Sequence, residues 1–151
     1  MARNRINPNQ LKLLMTPREM GIVGSIDVDP SLRTDITPEQ RAAHMDKHWN
    51  DVRVDAAFSG LMESVQKHGV KTPVQIVHDP AIGPVLGHGN HRFAVSDPDA
   101  LIPVLHTPGQ RDRRGDLDWN AALKNYESYM RTTGRRGLGY ADIHTWQNEE
   151  E

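Results

Sequence analysis

The sequence predicts an α+β domain, with helices and strands interleaved along one chain. Three observations predict it. Thr37-Pro38-Glu39-Gln40 is a capped helix start, Val74-Gln75-Ile76-Val77-His78 is a run rich in β-branched residues followed by turn signals, and Trp119, Leu123, Tyr126 and Met130 recur at helical spacing.

Residues 1–19 read as an irregular arm, and Ile22 to Val28 as a strand that Asp29-Pro30 ends. The next helix begins with Thr37 as its cap, Pro38 in the first helical position and Gln40 closing the capping box, and is expected to reach about Trp49. A second helix fits Asp55 to His68. Phe58, Leu61, Met62 and Val65 form its apolar stripe, which should face a sheet, and Gly69 supplies a left-handed C-terminal cap. Val74–His78 and Val85-Leu86, separated by Asp79-Pro80 and Gly83-Pro84, form an expected hairpin. A short helix over Asn90 to Ser96 is stopped by Asp97-Pro98. The strand Ile102–His106 follows, with Pro103 favouring an edge position or a strand start. After a polar loop, Leu117 to Met130 is the late helix. This divides the chain into an arm over 1–19, a domain over 20–130 with a helical insertion at about 30–60, and a basic linker and flexible acidic tail over 131–151.

A chain of 151 residues can bury a real core, but with 36% hydrophobic and 25% charged residues much of it must be surface. The absence of Cys removes disulfides, thiol catalysis and cysteine metal sites, and fits a cytoplasmic setting. No long apolar run predicts a membrane partner. The net charge of −2 makes any nucleic-acid surface a local one. Arg111, Arg113 and Arg114 form one basic cluster and Arg135 and Arg136 belong to another; these are the nucleic-acid contact candidates, against which stands their reading as solvated loops beside Asp112, Asp116 and Asp118.

The stretch with most chemistry is Leu86-Gly87-His88-Gly89-Asn90-His91-Arg92, a glycine-rich turn joined to a helix start. Glycines let backbone N–H groups approach an anion, a helix start leaves unpaired donors, and Arg92 can add a bidentate fork. Asn90 is the expected helix cap. The competing reading is a tight strand-to-helix turn in which Arg92 pairs with an acidic neighbour.

The order of helix, Gly69, Pro73, strand, hairpin, Gly89-Asn90-His91-Arg92, short helix and Ile102-Pro103-Val104 strand resembles the amino-terminal domain of the ParB/sulfiredoxin superfamily over about residues 54–106. That resemblance implies a small mixed sheet flanked by helices, here with an additional C-terminal helix. It also implies a phosphate or nucleotide site at Gly87, Gly89, Asn90, His91 and Arg92, with Lys71 and Thr72 from the preceding loop, and CTP or ATP with Mg2+ as its cofactor. Sulfiredoxin chemistry is excluded, because Asn90 stands where that enzyme's box carries its catalytic cysteine. Asn90 and His91 also depart from the Gly-Glu-Arg-Arg box of partition ParB, which puts CTP selectivity in doubt, and partition itself is not expected. Compact relatives of this kind are often ParB-like nucleases of phages and mobile elements. The resemblance therefore implies an accessory role in DNA metabolism in the host cytoplasm, as a nuclease or nucleotide hydrolase. Separately, because an unperturbed imidazole titrates close to neutrality, His91 is the candidate catalytic acid or base beside a bound phosphate.

Two other readings stand beside it. His78, His88, His91 and His106 could converge near one end of the sheet, with His88 and His91 as metal-ligand candidates, although no recognised ligand spacing is present. From another class comes a noncatalytic interaction module that reuses the fold, binding a host protein or a second copy of itself as a homodimer through the 30–60 insertion or the late helix.

Overall fold

The computed structural model describes residues 12–133. The chain is α+β, with a five-stranded mixed sheet at its centre. The elements run β1 (Leu14–Met15), α1 (Pro17–Met20), β2 (Gly24–Ser25), a 3-10 helix (Asp29–Leu32), α2 (Pro38–Ser59), α3 (Leu61–His68), β3 (Val74–Asp79), β4 (Gly83–Leu86), α4 (Asn90–Val95), β5 (Ile102–Pro108) and α5 (Trp119–Thr133). The sheet order is β1-β5-β3-β4-β2, with β3 parallel to β5 and antiparallel to β4, β2 parallel to β4, and β1 antiparallel to β5.

The strands at the centre of the sheet are covered on both faces. Side chains alternate along β3, so Val74 and Ile76 point to one side and Gln75 and Val77 to the other. Val74, Ile76, Leu86, Ile102 and Val104 form the first core with Met20, and Trp49 of α2 and Phe93 of α4 pack against it. Across the sheet, Val77 packs with Leu117, Ala122 and Trp119, which docks α5. Among the described residues, no helix is long and apolar enough to cross a membrane.

Several expected elements change on folding. Within the expected irregular arm, the described residues form two short elements: β1 pairs with β5, and α1 carries a full capping box in which the Thr16 hydroxyl accepts from Glu19 N and the Glu19 carboxylate accepts from Thr16 N. The strand expected over Ile22–Val28 shrinks to Gly24–Ser25. Its second half curls because the Ser25 hydroxyl accepts from Asp27 N, while the Ser31 hydroxyl accepts from Ser25 N and donates to Val28 O, local bonds that outcompete a ladder.

The helix expected to stop near Trp49 continues to Ser59, where Gly60, at φ +81°, ends it and α3 begins. Phe58 therefore belongs to α2 and is 89% exposed instead of sharing a stripe with Leu61, Met62 and Val65. Helix α3 packs chiefly on α2 and α4 rather than on the sheet. Pro103 lies opposite Leu14 of the two-residue β1, where its missing N–H interrupts only a short edge ladder. Leu117 is buried just before α5 begins at Trp119.

Candidate functional site

The β3–β4 hairpin delivers the glycine-rich box. Its ladder continues past the end of β4, with Gly87 N donating to Gln75 O at 2.9 Å and Gln75 N donating to His88 O at 2.9 Å. The fully buried Gln75 side chain donates to Thr107 Oγ1 at 3.0 Å and to the Ala122 carbonyl at 2.7 Å, and its Oε1 accepts from His88 N at 3.3 Å. One amide thus links β3, β5, α5 and the box. A β-carbon on Gly87 would collide with that amide. Gly89 takes φ +99°, and a β-carbon there would lie 2.7 Å from Val74 Cγ1. Both glycines are required by the packing before any ligand is considered.

Gly89, not Asn90, occupies the cap position of α4, and Asn90 is its first helical residue. The expected capping bond does not form because the Asn90 side chain is turned inward. Its Nδ2 donates to Gly87 O at 2.9 Å, and its Oδ1 accepts from Ser25 Oγ at 2.6 Å and from His48 Nε2 at 2.9 Å. Asn90 is 6% exposed and fastens the box to β2 and α2. An amide so engaged holds the turn in shape and leaves ligand contact to its neighbours.

Those neighbours are His88, His91 and Arg92, which line a cleft of about 360 Å³ with Leu61, Gly89 and Asn90. Arg92 donates through Nη2 to the Pro73 carbonyl at 3.3 Å, and its Nε is buried without a hydrogen-bond partner. Among the described residues it has no carboxylate within ion-pair distance, unlike Arg18, Arg33, Arg111 and Arg114. Among the described residues, the pairing with an acidic neighbour that would explain Arg92 without a ligand is not present.

His88 stacks on Tyr126 of α5, with ring centroids 4.2 Å apart and planes tilted by 18°. Tyr126 in turn donates its hydroxyl to the same Pro73 carbonyl at 2.8 Å. The His88 Nε2 is buried without a partner, and burial together with the nearby Arg92 guanidinium lowers its pKa, which keeps the ring neutral. Among the described residues, His88 Nε2 and Arg92 Nε are the buried side-chain polar atoms left without a partner, and both belong to this box. His91 differs. Its Nε2 lies 2.7 Å from Asp55 Oδ2, an acid of α2 that sequence spacing gave no means of finding, and its side chain is half-exposed.

The four central histidines do not converge. His78 and His106 stack on each other, with His78 Nε2 and His106 Nδ1 2.8 Å apart and His106 Nε2 2.7 Å from the Lys12 carbonyl, apart from the box pair. Within the box, His88 turns to Tyr126 and His91 to Asp55, and among the described residues no group of three His, Cys, Asp or Glu side chains could hold a metal ion. Lys71 is exposed and Thr72 partly buried, and neither lines the cleft. They lie just before Pro73, the residue to which Arg92 is anchored.

Of the arginine clusters, Arg111 is committed to the interior. It pairs with the buried Asp79 and donates to the carbonyls of Gly115 at 3.0 Å and Leu32 at 3.1 Å, so its guanidinium closes a loop instead of facing solvent. Arg113 and Arg114 are exposed, with Arg114 3.9 Å from both Asp112 and Asp116. Arg135 and Arg136 lie outside the described residues. Comparison with protein-family models, with curated proteins and with solved structures finds no match to this chain.

Proposed function

We propose that this chain is a ParB/sulfiredoxin-like domain that binds a phosphate group of a nucleotide or nucleic acid in the cleft at Gly87 to Arg92. On this reading it acts in the cytoplasm as an accessory protein of DNA metabolism in a phage or mobile element. The observation that carries the reading is Arg92: a cleft-lining guanidinium with no counter-ion among the described residues and a buried Nε that donates to nothing. Leaving a buried donor unmade costs about 1–3 kcal/mol, and a phosphate oxygen is the acceptor whose geometry and charge best match the guanidinium fork. His88 Nε2, beside it, is a second unmet polar atom. Because α4 spans only Asn90–Val95, its dipole contributes little and these side chains carry the binding.

The donor set fits the phosphate end of CTP or ATP, and Asp55 is the carboxylate that could share a Mg2+ ion with it. If the bound ester is hydrolysed, His91 has the arrangement of an acid or base, with its Nε2 held by Asp55 and its Nδ1 left to exchange a proton with water or a leaving oxygen. Sulfiredoxin chemistry stays excluded, since position 90 holds a buried amide.

Calorimetric and thermal-shift titration of the wild-type chain and Arg92→Ala with CTP, ATP, ADP, GTP and short DNA, each with and without Mg2+, tests the reading. A ligand that stabilises wild type alone supports it. Equal melting of both proteins under every condition overturns it. A second reading, a protein-interaction or self-associating module, is favoured by the β1 edge, where Leu13, Leu14 and Leu101 are 46%, 53% and 63% exposed beside a two-residue strand. Its mark would be a concentration-dependent mass that Arg92→Ala leaves unchanged and Leu14→Lys abolishes.

A further inference from the structure

We infer that Phe58 is the base-stacking platform of the cleft, so that the ligand is a phosphate carrying a nucleobase and not an inorganic or sugar phosphate. The inference rests on the phosphate site proposed above and assigns the other half of its ligand.

Phe58 is 89% exposed, a position where a large aromatic ring gains nothing from folding. Its place in α2 is fixed by its neighbours. Arg53 donates to the Ala94 carbonyl of α4 at 3.0 Å, and Asp55 holds His91 at 2.7 Å, so this end of α2 runs along the cleft. Phe58 follows Asp55 by three residues and therefore shares its side of the helix. Leu61, three residues further and beyond the Gly60 break, lines the cleft itself. Phe58 thus lies in sequence between Asp55, which holds the cleft residue His91, and Leu61, which lines the cleft. Val54, one turn earlier and 58% exposed, extends the apolar shelf.

The combination of an uncompensated guanidinium and an exposed aromatic ring is what single-stranded nucleic acid and nucleotides bind: charge holds the phosphate, and the ring face takes any base without reading its edge. Arg92 supplies the first and Phe58 the second. A free nucleotide and a single strand present the same chemistry here, and ligand length separates them.

The test is calorimetric titration of the full chain as wild type, Phe58→Ala, Phe58→Trp and Arg92→Ala, with inorganic pyrophosphate, CTP, ATP and a short single-stranded oligothymidylate. Phe58→Ala should keep pyrophosphate binding and weaken the base-bearing ligands roughly tenfold, the scale of one lost base stack. Phe58→Trp should retain affinity and show ligand-dependent quenching of its added indole, which a residue serving only the fold would not report. Tighter binding of the oligonucleotide than of CTP identifies a strand as the ligand, and equal or weaker binding identifies a free nucleotide. Unchanged affinity of Phe58→Ala for all base-bearing ligands, with pyrophosphate still bound, overturns the platform and leaves the phosphate site standing. Failure of wild type to bind any of these ligands overturns both.

Discussion

The α-carbon of Gly87 lies against the side-chain amide of Gln75 so closely that no β-carbon fits between them. The glycine is thus fixed by a residue of the same sheet. Gly87→Ala should destabilise the fold by about 1–3 kcal/mol, the usual cost of overpacking a rigid interior. Gln75→Ala removes the obstacle, so the double variant should lose less than the sum of the two single losses, as read by urea unfolding.

Arg92→Ala should separate binding from stability. The side chain makes one long hydrogen bond and leaves its Nε unsatisfied, so its removal should change unfolding free energy by no more than about 0.5–1 kcal/mol while abolishing phosphate binding. A loss of several kcal/mol would mark Arg92 as a structural residue.

Arg111→Ala should have the opposite signature. It leaves the fully buried Asp79 carboxylate without its cation, a change that costs about 3–5 kcal/mol. Arg113→Ala, at an exposed position with no ion pair among the described residues, should stay within about 0.5 kcal/mol of wild type. Thermal unfolding of the two variants side by side checks the contrast.

Acid should unfold the protein through its histidine pair. Burial pushes His78 down to about 3, with the neighbouring His106 adding to the effect, and burial lowers His106 as well. Both rings are held neutral in the native state, whereas in the unfolded chain they protonate near 6.5. Their contribution is therefore complete above about pH 6.5 and is lost as pH falls from there towards 3, because the unfolded state takes up protons that the folded state refuses. Each such histidine should add a slope of up to about 1.4 kcal/mol per pH unit in that window. His78→Gln, which keeps a neutral donor near the ring nitrogen's position, should flatten the acid limb measured by urea unfolding between pH 7 and 4.

Where sequence and structure agree, the signal is local. Thr37-Pro38-Glu39-Gln40 starts α2, the turn residues between Val77 and Val85 close the hairpin, and α4 begins at Asn90. The same cap chemistry stands in Thr16-Pro17-Arg18-Glu19, so a helix start within the expected arm is legible in the sequence too. Gly60 was equally visible, but a glycine inside a periodic run does not reveal whether it will end a helix. The site is less legible for a different reason. Asp55 meets His91 across 36 residues, Tyr126 reaches Pro73 across 53, and Ser25 reaches Asn90 across 65. No period or motif encodes such meetings; they follow from how the helices settle on the sheet. That also explains Asn90, which has the right residue type for a cap but finds better partners inward.

The oxygen of Pro73 is held from two sides, by Arg92 of α4 and by Tyr126 of α5, while Tyr126 also underlies His88. Helix α5 lines no part of the cleft itself and yet, through Tyr126, sets the height of both its unmet polar side chains. In a lineage that keeps this cleft, positions 122 and 126 should therefore drift in step with positions 75, 88 and 92. An inventory of ligand contacts would miss them, and cutting the chain before Trp119 would leave the box intact in sequence and slack in space.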